Sequence, residues 1–119
     1  MLGVTRAEIS EDRFGVVKRL AGSDRVALLK GRYSLIASAG RRTEVNPRNS
    51  PALSTGGTGD VLAGLVGALL ARGVSAHRAA CLGAWVHGRA GELIEEGGDA
   101  STPTSLISAL PRAIREIPC

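Results

Sequence analysis

Ser54-Thr55-Gly56-Gly57-Thr58-Gly59-Asp60 runs directly into the apolar segment Val61-Leu62-Ala63-Gly64-Leu65-Val66-Gly67-Ala68-Leu69-Leu70. Three glycines and two threonines leave a loop with little side-chain bulk, so its backbone N–H groups can approach a ligand closely. The apolar segment predicts a helix whose positive end points at the same spot. That combination suits an anion. Asp60 is the one charged group in the loop, and a carboxylate beside a phosphate site is repelled unless it has chemistry to do there. Taking a proton from a hydroxyl that attacks a phosphoryl group is such chemistry. A plainer reading stays open on the residues alone: Asp60 caps the helix and the glycines make a turn. The run is not a Walker loop, because no Gly-Lys-Ser/Thr follows it.

Upstream, Thr5 and Glu8 have capping-box spacing, and Ile9, Phe14, Val17 and Leu20 recur at near-helical intervals up to Gly22. One amphipathic helix is predicted there. Arg25-Val26-Ala27-Leu28-Leu29-Lys30 reads as a short strand buried on both faces, of the kind parallel sheets contain. Lys30 then falls at a strand's carboxyl end, the edge where open α/β sheets bind ligands. It either binds a ligand or extends from the strand tip into water. Tyr33 to Ala37 and Thr43 to Val45 flank a Gly-containing loop and predict a hairpin. The polar connector Asn46-Pro47-Arg48-Asn49-Ser50-Pro51 delivers the chain to the glycine loop.

Downstream, apolar residues and glycines on nearly every side of Asp60–Arg72 predict a helix buried all round. Ser75 starts a long helix through Glu96 with a stripe of Leu82, Val86, Ala90 and Leu93. Its small-residue face is Ala80, Ala84, Gly88 and Gly91, and Gly97-Gly98 ends it. Ser101-Thr102-Pro103-Thr104-Ser105 opens a last helix whose Leu106, Ile107, Leu110, Ile114 and Ile117 are expected to face the core, with Pro111 kinking or dividing it. His77 and His87 have no carboxylate or Cys at ligand spacing, so neither predicts a metal site, and Trp85 reads as packing.

The 119 residues, 44% hydrophobic and 22% charged, predict one domain. No run reaches the ~18 apolar residues of a membrane span. Met1 to Arg13 lack the pattern of a secretory signal, so a cytoplasmic protein is expected. Cys81 and Cys119 are too few and too far apart for a disulfide framework; Cys81 reads as buried filler and Cys119 as exposed. The net charge of +4 raises a nucleic-acid partner. Scattered arginines and one Phe, one Tyr and one Trp give no stacking platform, so none is expected.

A buried parallel strand needs neighbours on both sides, and the hairpin supplies one side at most. The chain is therefore expected either to form a homo-oligomer or to be the carboxyl-terminal piece of a larger α/β domain whose earlier strands lie upstream of Met1.

At Asn46-Pro47, Ser54–Gly64 and the closing Ser105-Leu106-Ile107-Ser108-Ala109-Leu110-Pro111, the sequence resembles the ADP- or ATP-dependent NAD(P)H-hydrate dehydratases. These form the carbohydrate-kinase-like branch of the ribokinase-like superfamily. The glycine run, a long helix carrying His87-Gly88 and the terminal Leu-Pro element occur in family order. The resemblance implies that residues 1–119 are a partial ribokinase-like domain with its upstream part missing, the carboxyl-terminal part of a three-layer αβα fold. It implies phosphorylation of the ring hydroxyl of hydrated NADH or NADPH by ADP or ATP with Mg2+, followed by loss of phosphate. Asp60 becomes the base and a substrate contact, and Gly56, Gly57, Thr58 and Gly59 the anion hole, with Gly59 also touching the adenine nucleotide. Lys30, Gly31, Arg32, Tyr33 and Ser34 map onto the family's nucleotide-binding strand end, Arg32 and Tyr33 standing where the pattern has two small residues. The alternatives are a non-catalytic nucleotide-binding remnant, another ribokinase-like small-molecule kinase, or an interaction module without a ligand.

Overall fold

The computed structural model describes residues 4–118, so Cys119 lies outside the described residues. Two short helices, α1 (Arg6–Glu11) and α2 (Arg13–Ala21), are followed by strands β1 (Val26–Leu29), β2 (Ser34–Ser38) and β3 (Glu44–Asn46). A 3-10 turn at Pro51–Ser54 leads into α3 (Thr58–Ala71), α4 (Ala76–Gly97) and α5 (Pro103–Arg115).

The first helix is two. Thr5 and Glu8 form the expected capping box, but Asp12 leaves helical geometry and its carboxylate accepts from the Gly15 amide, capping a new helix. A competing N-cap inside the periodic stretch is what the apolar spacing did not register. Phe14, expected on the inner face, is 52% exposed.

Three strands form one sheet in the order β1-β2-β3, each pair antiparallel, with Leu29 opposite Leu35 and Leu35 opposite Val45. The hairpin of β2 and β3 stands as read. The parallel pairing expected for β1 does not: Lys30–Tyr33 turns the chain straight back onto β2. Both faces of β1 are nonetheless covered. Ala27 and Leu29 join Val17, Ala21, Leu35 and Ala37 against α2, while Val26 and Leu28 join Ile36, Ala80 and Ala84 against α4. Alternate residues of one strand thus face two helical layers, which is the αβα arrangement. All four β1 residues stay half-buried because β1 is an edge strand.

The larger core lies among helices, with Val86, Ala90, Leu93, Ile94, Leu106 and Ala113 at its centre. Helix α4 follows its reading closely, with Ser75 at its N-cap and Gly98 in left-handed geometry at its C-cap. Its small-residue face admits close neighbours: a Cβ on Gly88 would stand 2.5 Å from Arg48 Cβ, and one on Gly91 2.9 Å from Leu53. Cys81 is half-buried beside Ile36, Ala80 and Ala84, and burial raises its thiol pKa. His77 Nδ1 lies 2.7 Å from Ser38 Oγ, tying the start of α4 to the end of β2.

Helix α3 departs from its reading. Thr58 and Leu62 are its only buried residues, and Leu70 is 45% exposed, because no element among the described residues covers its second face. Helix α5 is turned relative to expectation: Leu106 and Ala113 are buried, whereas Ile107 and Ile114 are 55% and 47% exposed. It runs unbroken through Pro111, capped by Thr102, whose hydroxyl accepts from the Ser105 amide. Arg89 joins α4 to the C-cap of α5 through an ion pair to Glu116 at 2.5 Å, and pairs within α4 with Glu92 and Glu96 at 3.1 and 2.8 Å.

Candidate active site

Two tight turns meet at the N-terminus of α3. The first is Lys30–Tyr33, between β1 and β2. Arg13 of α2 holds it from beneath, donating Nη1 to the Tyr33 carbonyl at 2.9 Å and Nη2 to the carbonyls of Leu29 and Lys30 at 3.3 and 3.2 Å. A Cβ at Gly31 would displace that guanidinium, so the bare glycine lets Arg13 lie close against the turn. The turn presents Lys30, whose Nζ would stand 2.7 Å from a methyl group on Gly59. The ammonium therefore sits against the first turn of α3, beside the helix's positive end, and makes no ion pair among the described residues. Two positive features side by side favour an anion, with Asp60 the one carboxylate of that turn.

The second turn is the glycine run itself. Gly57, with φ +91°, is the N-cap of α3, and no side chain caps the helix. Asp60 stands in the first helical turn, exposed, with no hydrogen bond or ion pair among the described residues. The capping role left open for Asp60 is thus filled by glycine, and its carboxylate faces solvent. The amides divide: Thr58 donates to the Thr55 carbonyl at 3.4 Å and Asp60 to the Gly57 carbonyl at 3.2 Å. Those of Gly56, Gly57 and Gly59 have no acceptor among the described residues. Thr58 is 3% exposed and its hydroxyl points inward, shared between the carbonyls of Leu53 (2.7 Å) and Thr55 (2.9 Å).

Between the Lys30 turn and the Asn46–Ser54 connector lies a cleft of about 790 Å³ that reaches the glycine run only at Ser54; Gly56–Asp60 do not line it, and Gly59 instead borders the groove between α3 and β1. Lys30, Gly31, Arg32 and Ser34 line it, as do Arg48 and His87. Tyr33 does not line it; it is 45% exposed, with the Arg32 guanidinium 5.8 Å from its ring centre. Three residues that the sequence did not single out for the site shape these walls. Arg13 sets the Lys30 turn. Arg48 is fixed on the rim by Glu92 at 2.7 Å and by the Trp85 ring at 4.9 Å. Asn46 donates to the Ala84 carbonyl at 2.9 Å, stitching the connector to α4. The Asn46-Pro47 pair was the one visible signal among them. The partners of Arg13 lie too far along the chain for any spacing rule to connect.

Among the described residues no three His, Cys, Asp or Glu side chains cluster in a way that would hold a metal ion.

A family model described as NAD(P)H-hydrate dehydratase, of the carbohydrate-kinase type, matches residues 1–112. The chain is 41% identical over 97 residues to an ADP-dependent (S)-NAD(P)H-hydrate dehydratase of Neisseria meningitidis, covering 81% of this chain and 33% of that protein. It is 36% identical over 120 residues to a bifunctional NAD(P)H-hydrate repair enzyme of Moorella thermoacetica, covering 98% of this chain and 23% of the relative. The chain thus spans a third or less of the length of these curated relatives. In structure it matches the Bacillus subtilis ADP/ATP-dependent NAD(P)H-hydrate dehydratase co-crystallised with ATP and Mg2+, at a TM-score of 0.79 and 30% identity, over 95% of this chain and 42% of that one. Glycine run, αβα layering and close relatives all agree: the chain belongs to the NAD(P)H-hydrate dehydratase family of carbohydrate-kinase-like proteins.

Proposed function

We propose that this chain carries the phosphoryl-transfer part of an ADP- or ATP-dependent NAD(P)H-hydrate dehydratase. The observation that carries the reading is the convergence on one helix end of the Lys30 ammonium, three amides without acceptors and the solvent-facing Asp60 carboxylate. Under this reading the nucleotide lies against the Lys30 turn, its adenosine side along Lys30–Ser34 and extending out of the cleft to Tyr33, and its terminal phosphate reaching beyond the cleft toward Gly56, Gly57 and Gly59. Asp60 contacts the hydrated nicotinamide and accepts the proton of its ring hydroxyl. The freed oxygen bonds to the terminal phosphorus as the bridging P–O bond breaks, releasing the shortened nucleotide. The phosphate then leaves with the electron pair of the ring C–O bond, and a ring proton is lost, restoring reduced nicotinamide. Bound magnesium would neutralise charge on the phosphates. Thr58 acts in this scheme by its backbone position, since its hydroxyl is turned inward.

The test is recovery of NADH absorbance from hydrated NADH in the presence of ADP. Asp60→Asn is expected to lower turnover about a hundredfold or more, the scale of losing a general base. Equal rates would remove Asp60 from the chemistry.

A second reading, nucleotide binding without turnover, is favoured by the uncovered face of α3, because one wall of the site then comes from elsewhere. In that reading residues 1–119 form one portion of a larger ribokinase-like domain. Alone, the chain associates with itself through the same face, in the cytoplasm. Titration calorimetry with ADP separates the two: binding with no turnover supports the second reading, and turnover supports the first.

A further inference from the structure

The first turn of α3 is held from two sides. Thr58 bonds back to the preceding turn through its hydroxyl, and its carbonyl lies 2.8 Å from His87 Nε2. A carbonyl only accepts, so Nε2 carries the imidazole proton and Nδ1 the lone pair. His87 is 4% exposed, in the middle of α4, and its bond to Thr58 is the one polar link between α4 and the glycine run among the described residues. Its neighbour Gly88 lets the Arg48 backbone lie directly on the same helix. Consecutive residues of α4 therefore fix two neighbouring segments, the glycine run through His87 and the Asn46–Ser50 connector, a wall of the cleft, through Gly88.

We infer that His87 is a positioning residue: its Nε2–H sets where the first turn of α3 stands, and with it the Asp60 carboxylate and the glycine-run amides that have no acceptor among the described residues. It touches no reacting atom. The inference rests on the proposed phosphoryl-transfer reading for its consequence in catalysis, and on geometry alone for the hydrogen bond. Apolar contacts of Val61 and Leu65 with the main core already hold α3 against its neighbours. Losing the donor should therefore loosen the first turn while leaving the helix in place.

The test uses the whole chain with two variants. His87→Leu keeps bulk and removes the donor, whereas His87→Gln keeps a donor near the Nε2 position. Nitrogen-15 spectroscopy of the wild-type imidazole should show protonated Nε2 and bare Nδ1; the opposite tautomer would overturn the inference without any variant having to fold. In His87→Leu, amide exchange at Asp60 and Val61, both bonded to the Gly57 carbonyl, should quicken about three- to tenfold, the equivalent of one net hydrogen bond. Exchange in α5 should stay unchanged. His87→Gln should restore the wild-type rates. Wild-type exchange in His87→Leu, or equal loosening in both variants, would overturn it. ADP affinity, read in parallel by calorimetry, should fall with the leucine and recover with the glutamine. If wild type binds no ADP, the functional reading fails while the exchange data still decide the role of His87.

Discussion

His87 also has a charge state to settle. Burial disfavours its imidazolium, the Thr58 carbonyl favours it, and the Lys30 ammonium disfavours it again, leaving its pKa below the ordinary 6.5. In the unfolded chain the imidazole titrates near 6.5, so on acidification the unfolded state takes up this proton first. The stability that His87 contributes by staying neutral is fully present above that value and is lost as the pH falls from there toward the lower folded-state pKa. The thermal midpoint should drop between pH 7 and 5, and His87→Gln should flatten that part of the profile; an unchanged slope in the variant would contradict the assignment. Glu96 and Glu116, lowered from 4.5 chiefly by Arg89, act only in a more acid window. At this scale Asp60 and the glycines were legible because their chemistry is local, a carboxylate and bare amides within a few residues. Arg13 and His87 were not, because each works on a backbone carbonyl that only the folded chain brings near.

Glycine does opposite things in two neighbouring helices. In α3 a methyl group on Gly64 would meet nothing within 4 Å, so Gly64→Ala should gain up to about 1 kcal/mol of helix propensity. In α4 the same change at Gly88 drives Cβ to 2.9 Å from the Arg48 carbonyl oxygen, which is backbone and cannot swing aside. Overpacking of about 1–3 kcal/mol then outweighs the propensity gain, and Gly88→Ala should lower stability. Urea titration of the pair checks both signs; a stabilised Gly88→Ala would mean that the connector shifts freely. The legibility of the elements follows the same logic. Capping signals at Thr5, Ser75, Gly98 and Thr102 are short-range and fell where read. The all-apolar composition of α3 reports what the helix is suited to touch, not what touches it in this chain. For β1, an apolar run reported that both faces are covered but could not distinguish an antiparallel edge from a parallel centre.

At the scale of the molecule, the uncovered face of α3 and the open side of β1 are one continuous surface. Val26, Leu28, Leu62, Ala63, Val66 and Leu70 line a shared groove of about 450 Å³. Burial of such a face drives association. The chain should therefore self-associate in sedimentation experiments, and Leu70→Lys should shift it toward monomer with little change in melting, since Leu70 is 45% exposed. Monomeric behaviour of the unmodified chain at every concentration would contradict this. The three-layer architecture came from the family resemblance, since the three strands follow one another with no helix between them; the open flank was legible only as a missing neighbour, since sequence patterns describe faces and not their occupants.

The unpaired side of β1 carries a further consequence. Its backbone donors and acceptors do not discriminate between strands of different origin. A rim of this kind offers pairing to any strand that meets it, so association through it is expected to rise with protein concentration.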